Sequence, residues 1–173
     1  MSDLPSSVNP YSEVAQLLAN AIDPQTGFQL ETDRECVKHT ITFAGGTTND
    51  PGDYDGTGTP FNLFTVTGDC LVAVIGVVTT LPTGASGTLS VGTATVVAKY
   101  IPTTVGTTML LQRIIDHTGL VAEATLPLTN PTQAATNGEE IVGTVATADL
   151  TAGVIDFYCF FRPLSAGATV VAG

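Results

Sequence analysis

Histidine is the commonest general base, and this chain has two, His39 and His117. His39 stands on the apolar side of an alternating segment, and His117 follows Asp116 at the end of another. A Ser-His-Asp triad is a matter of geometry, and no G-x-S-x-G elbow offers the nucleophile. Both histidines are therefore read as structural. The loop Asn49-Asp50-Pro51-Gly52-Asp53-Tyr54-Asp55-Gly56 gathers three carboxylates among glycines, a composition that can bind calcium. It lacks the EF-hand register and its terminal Glu, and Asp and Gly are ordinary turn residues, so a solvated loop is expected. Glu139-Glu140 could supply the carboxylate pair of a glycosidase. Sugar clefts also want stacking aromatics, and here Trp is absent and aromatics are 6%. Gly56-Thr57-Gly58 leads into an apolar strand, with no helix N-terminus to hold a phosphate. Cys36, Cys70 and Cys159 are widely spaced, odd in number and without a CxxC, so they read as small buried hydrophobes rather than disulfides or zinc ligands. The expectation is a protein with no catalytic residues, no cofactor and no metal.

The bulk properties agree. At 173 residues the chain is long enough for one domain with a proper core. It is 43% hydrophobic and only 12% charged, where soluble domains are typically about 25% charged. Such a surface points to self-association or a larger assembly. The net charge is −11, and the five basic residues Arg34, Lys38, Lys99, Arg113 and Arg162 are scattered. Nucleic-acid binding needs a clustered positive footprint, so nucleic acid is excluded. No apolar run is long enough for a membrane span, and the N-terminus MSDLPSSVNP has no basic or apolar signal region. The chain is expected to be made and kept in a cytoplasm.

The elements that must position these residues are mostly strands. Residues 1–27 read as an arm with one helix. Val14, Leu17, Leu18, Ala21 and Ile22 share a stripe after an Asn9 cap, and Asp23-Pro24 ends it. Residues 28–173 read as a β-sandwich domain with a short tail. The stretch 61–81 is the most apolar and is split by Gly68-Asp69 into two strands, the second apolar on both faces and expected to be covered on both. Cys36–Phe43, Thr88–Val91, Ala94–Ile101, Leu120–Leu128, Glu139–Ala146 and Val154–Pro163 give further strands. Thr108–Ile115 fits a strand or a helical turn, and Ser165–Gly173 is a small-residue tail. Strands at intervals of about 8–12 residues indicate an all-β fold, a β-sandwich or jelly roll.

Two segments, over residues 61–95 and 147–170, resemble small structural proteins of tailed bacteriophages. The matching features are F-x-V-T-G-D-x-L-V, T-G-A-x-G-T-L-S-V-G and a closing hairpin A-D-x-T-A-G-x-I-x-F-Y-C. The resemblance implies a virion structural protein, a decoration or cement protein on the outside of the phage head. Its partners would be the major capsid protein and copies of itself, as a trimer. The expected contacts with capsid are Leu4, Val8, Val14, Leu17 and Leu18, and those between subunits Tyr158 and Phe160. Two alternatives stand beside it. One is a phage tail or receptor-facing β protein that binds host glycans; the other is a small carbohydrate-binding module.

Overall fold

Alternating apolar and polar residues, broken by Gly, Pro, Asn and Asp, favour strands that bury one face. The structure, a computed structural model, describes residues 35–173 apart from 47, 49, 85 and 122–131. The arm and helix expected over residues 1–27 therefore lie outside the described residues. Glu35–Gly173 forms one compact unit. Its strands are β1 (Glu35–Thr42), β2 (Thr59–Thr67), β3 (Cys70–Thr83), β4 (Thr88–Gly92) and β5 (Ile101–Val105). They continue as β6 (Ile114–Asp116), β7 (Gly119–Leu120), β8 (Gln133–Ala135), β9 (Glu140–Ala146), β10 (Ala152–Pro163) and β11 (Thr169–Ala172). One 3-10 turn, Gly106–Thr108, follows β5.

The strands make two antiparallel sheets. The first runs β1-β10-β3-β6-β7, with β8 also on β3; the second runs β11-β2-β9-β4-β5. Strands β1, β10, β3 and β6 face β2, β9, β4 and β5, the strand order of a jelly roll with β11 added at one edge. The chain changes sheet at β1–β2, β2–β3, β3–β4, β5–β6, β8–β9, β9–β10 and β10–β11. The two strands around Gly68-Asp69 thus belong to different sheets, and the closing segment 148–159 is a crossing into β10 rather than a hairpin. Crossing connections look like hairpin turns in a sequence, because both need the same turn residues. Of the expected hairpins, β4 pairs β5, but β5 lies at 101–105 and residues 94–100 are loop. The segment 108–115 is 3-10 turn, tight turn and short strand in succession. The small-residue end is not a free tail: β11 pairs with β2 from Thr169↔Thr67 to Ala172↔Phe64.

The core lies between the sheets. Phe157, Ile155 and Cys159 of β10 and Val72, Val74 and Val78 of β3 meet Phe64, Val66, Ile141, Val145, Leu89 and Val91 of the second sheet. Strict alternation would turn Leu63 away from Phe64. The register slips between Asn62 and Phe64, and this bulge lets both be fully buried. The Phe61 ring lies over Gly143 on β9, where an added Cβ would sit 2.3 Å from it. It also meets Phe43 edge-on at 6.0 Å. The outer face of β3 is not covered in the same way. Ala73 is buried, but Leu71, Ile75 and Val77 are half-buried.

Candidate functional site

Strand pairing assembles the outer face of the first sheet. Tyr158 of β10 stands between Lys38 and Ile75, and Phe160 between Cys36 and Ala73. Leu71, Val77 and Ile114 continue the same face. Tyr158 and Phe160, singled out from the sequence, are thus brought together, half-buried, on an apolar and aromatic surface. An ion pair crosses it: Lys38 Nζ lies 2.6 Å from Asp156 Oδ2 and 5.7 Å from the centre of the Tyr158 ring. Thr40 Oγ1 donates to Asp156 Oδ1 at 2.6 Å. Burial works to raise the Asp156 pKa, but these two donors and the Lys38 charge outweigh it and hold the carboxyl below its ordinary value. The contacts expected at Leu4, Val8, Val14, Leu17 and Leu18 lie outside the described residues.

A second feature lies beyond β4. A cleft of about 380 Å³ is lined by Thr93, Thr95, Val96, Lys99, Thr136, Asn137, Gly138 and Glu139. At its base Glu139 Oε1 accepts from Lys99 Nζ at 2.6 Å and from the Tyr100 hydroxyl at 3.3 Å. Oε2 accepts from the Thr136 N–H at 3.0 Å and its hydroxyl at 3.4 Å. Lys99 Nζ also donates to the Ala134 carbonyl at 2.9 Å. Burial pushes the Glu139 pKa up, yet its donors, Lys99 foremost, hold it below the ordinary value. Burial, with Glu139 adjacent, drives the Tyr100 phenol far up. A carboxylate held ionised by four donors is a poor general acid, and a lysine committed to it a poor base. The group acts as a clasp that ties the loop before β9 to the end of the 93–100 loop. Glu140 points away and is exposed.

The other candidates singled out from the sequence lie apart in the fold. His39 Nδ1 lies 2.9 Å from the Leu63 carbonyl on β2, so this nitrogen carries the proton and donates across the sheets. Its ring meets Phe64 edge-on at 6.3 Å. Asp116 is buried, and its Oδ1 accepts from the N–H and hydroxyl of Thr118, both at 2.7 Å. Its Oδ2 is 3.7 Å from His117 Nδ1, too far for a hydrogen bond. Both atoms are buried without a hydrogen-bond partner, so Asp116 does not hold the imidazole through Nδ1 as an orienting carboxylate holds a general base. In the acidic loop, Asp55 Oδ1 accepts from the N–H and hydroxyl of its own neighbour Thr57. Ala44 N–H donates to Pro51 O, and Leu150 N–H to Gly52 O. At Gly52 the backbone has φ +107° and an added Cβ would meet the Leu150 oxygen at 2.3 Å, so this turn requires glycine. Asn49 lies outside the described residues. Among the described residues no three of His, Cys, Asp and Glu gather as a metal site, and no helix is long and apolar enough to cross a membrane.

Of the cysteines, Cys70 and Cys159 are buried, and burial pushes the Cys159 thiol up to about 12. Cys36 is exposed on the outer face, against the expectation of burial. Alternation places it opposite Phe160 on the side away from the core. The Lys99–Tyr100–Glu139 clasp has no counterpart in the sequence reading. Its members are separated by 40 residues, and nothing in local spacing announces the pair. No protein-family model matches the chain, and no curated protein or solved structure matches it either.

Proposed function

We propose that this chain is a non-enzymatic virion structural protein that decorates the outside of a tailed-phage head and stabilises the shell. The observation that carries the reading is the outer face of the first sheet. Tyr158, Phe160, Leu71, Ile75 and Val77 form a half-buried, largely apolar surface of the kind that docks on protein, crossed by the Lys38–Asp156 pair. The strand order adds to it, since jelly rolls build viral capsid and lectin domains, although a fold alone does not fix a function. The resemblance of residues 61–95 and 147–170 to small phage structural proteins points the same way. The mechanism is mass action: a protein that binds assembled shell, and not its free subunits, favours the assembled state. Net charge −11 suits an outer surface, away from packaged DNA.

The test is co-sedimentation of the purified chain with empty phage heads. Binding that raises the temperature at which heads open, and that falls in a Tyr158→Asp/Phe160→Asp variant, supports the reading. A chain that ignores heads overturns it. The second reading, a tail protein that binds host glycans, is favoured by the threonine-lined cleft at Thr93, Thr95 and Thr136. It expects glycan-array signal that a Thr95→Val/Thr136→Val variant loses.

A further inference from the structure

The cleft beyond β4 has two walls. The loop 93–100 supplies Thr93, Thr95 and Val96, and the turn before β9 supplies Thr136, Asn137 and Gly138. Each wall is fixed by its own backbone bonds. Thr93 N–H donates to Val96 O at 3.0 Å, and Val96 N–H returns to Thr93 Oγ1 at 3.0 Å. Glu139 N–H closes the facing turn on Thr136 O at 3.0 Å, and Gly138 N–H ties it to Val66 O at 2.9 Å. The Lys99–Glu139 pair joins the walls at the base. A cleft held in this way is formed before any ligand arrives, so little order is lost on binding. Its volume of about 380 Å³ lies at the small end of the range for ligand sites, roughly 300–1,000 Å³.

The base presents no net charge, because Lys99 and Glu139 cancel at 2.6 Å. Each Glu139 oxygen already accepts two donors, so a cation finds no free carboxylate there. An anion meets Glu139 and also Asp69, whose Oδ1 accepts from Asn137 N–H at 3.3 Å, in a chain of net charge −11. What remains is capacity for hydrogen bonds. Lys99 Nζ spends two of its three N–H groups, on Ala134 O and Glu139. The Asn137 side chain accepts from Gly68 N–H through Oδ1 at 2.8 Å, and its NH₂ group has no partner among the described residues. The Thr95 and Thr136 hydroxyls each make a hydrogen bond within the cleft and keep a lone pair free. Spare donors and spare acceptors in one neutral cleft suit adjacent hydroxyl groups, each of which both donates and accepts. Val96, 54% exposed, and the threonine methyls offer apolar contact for the C–H face of a ring.

We propose, resting on the glycan-binding reading above, that this cleft takes a short neutral saccharide and rejects acidic ones such as sialylated chains. The Lys99–Glu139 clasp sets the selectivity: it holds the base neutral and leaves one Lys99 N–H for a sugar oxygen. No aromatic ring lines the cleft, so a single site is expected to bind in the millimolar range. Firm adhesion then comes from many copies engaging one glycan surface.

The experiment is an amide-resolved NMR titration of the full chain with lactose, maltose, mannobiose and chitobiose as neutral probes and sialyllactose as the acidic one. A neutral probe is expected to shift amides of residues 93–99 and 136–139, and sialyllactose to bind roughly tenfold more weakly. Thr95→Val/Thr136→Val is expected to weaken neutral binding by roughly tenfold. Glu139→Gln leaves Lys99 without its counter-charge and is expected to strengthen sialyllactose binding by roughly tenfold. Circular dichroism checks each fold, and Thr95→Lys repeats the charge test from the exposed wall without touching the clasp. Shifts with sialyllactose alone overturn the neutral ligand and leave the glycan reading standing, as do neutral-probe shifts that map away from the cleft. No shift with any probe overturns both. Folded Glu139→Gln and Thr95→Lys variants that discriminate as the parent does overturn the charge argument and the proposal with it.

Discussion

At the scale of single residues the strongest polar device is the clasp around Glu139. Replacing Glu139 with Gln puts an amide N–H₂ where the carboxylate accepts hydrogen bonds and leaves Lys99 without its counter-charge. The expected cost is about 1–2 kcal/mol in urea unfolding, with the fold retained. The same carboxyl sets a pH dependence. Glu139 and Asp156 both hold protons less readily folded than unfolded, because donors stabilise their charged forms. The unfolded chain therefore binds more protons in acid. Their contribution is complete above the ordinary values of 4.5 and 3.8, and is lost as pH falls below them. Melting temperature against pH is expected to drop on the acid side, with a shallower drop in Glu139→Gln. The clasp was illegible in the sequence. Lys99 and Glu139 are ordinary surface types in a chain rich in acids, and only the folding-over of the 93–100 loop joins them.

At the scale of elements, what matters is how strands meet. Gly143 exists to admit the Phe61 ring, so Gly143→Ala is expected to cost about 1–3 kcal/mol by forcing the ring off its site. A loss within a few tenths of a kcal/mol would show that the ring has room to move. His39 ties β1 of one sheet to β2 of the other through the Leu63 carbonyl. His39→Ala is expected to lower stability by about 1–2 kcal/mol, read from a urea midpoint at neutral pH. Strand existence was legible wherever alternation is strong, as in β1, β9 and β10. The β2 bulge was not. It lets the neighbours Leu63 and Phe64 both be buried, and a bulge depends on the partner strand's register rather than on its own residues. β11 was hidden for a related reason: small residues carry little pattern, and pairing with β2 alone makes them a strand.

At the scale of the whole molecule, the jelly-roll order sorts the cysteines. A thiol-labelling time course on the native protein is expected to modify Cys36 and to spare Cys70 and Cys159 until unfolding. Fast labelling at Cys159 would mean that the sandwich opens readily. The sequence by itself determined that the domain after the arm is all-β, as its described residues are, because alternation and turn chemistry are local. It also determined that the chain is acidic, with one long stretch free of carboxylates. Tertiary structure decided which strands share a sheet, since a turn between neighbours and a crossing between sheets use the same residues. It alone brought Tyr158 and Phe160 onto one surface with Leu71 and Ile75. Those neighbours are set by long-range pairing, and the free energy that selects the pairing belongs to the buried core rather than to any segment of the chain.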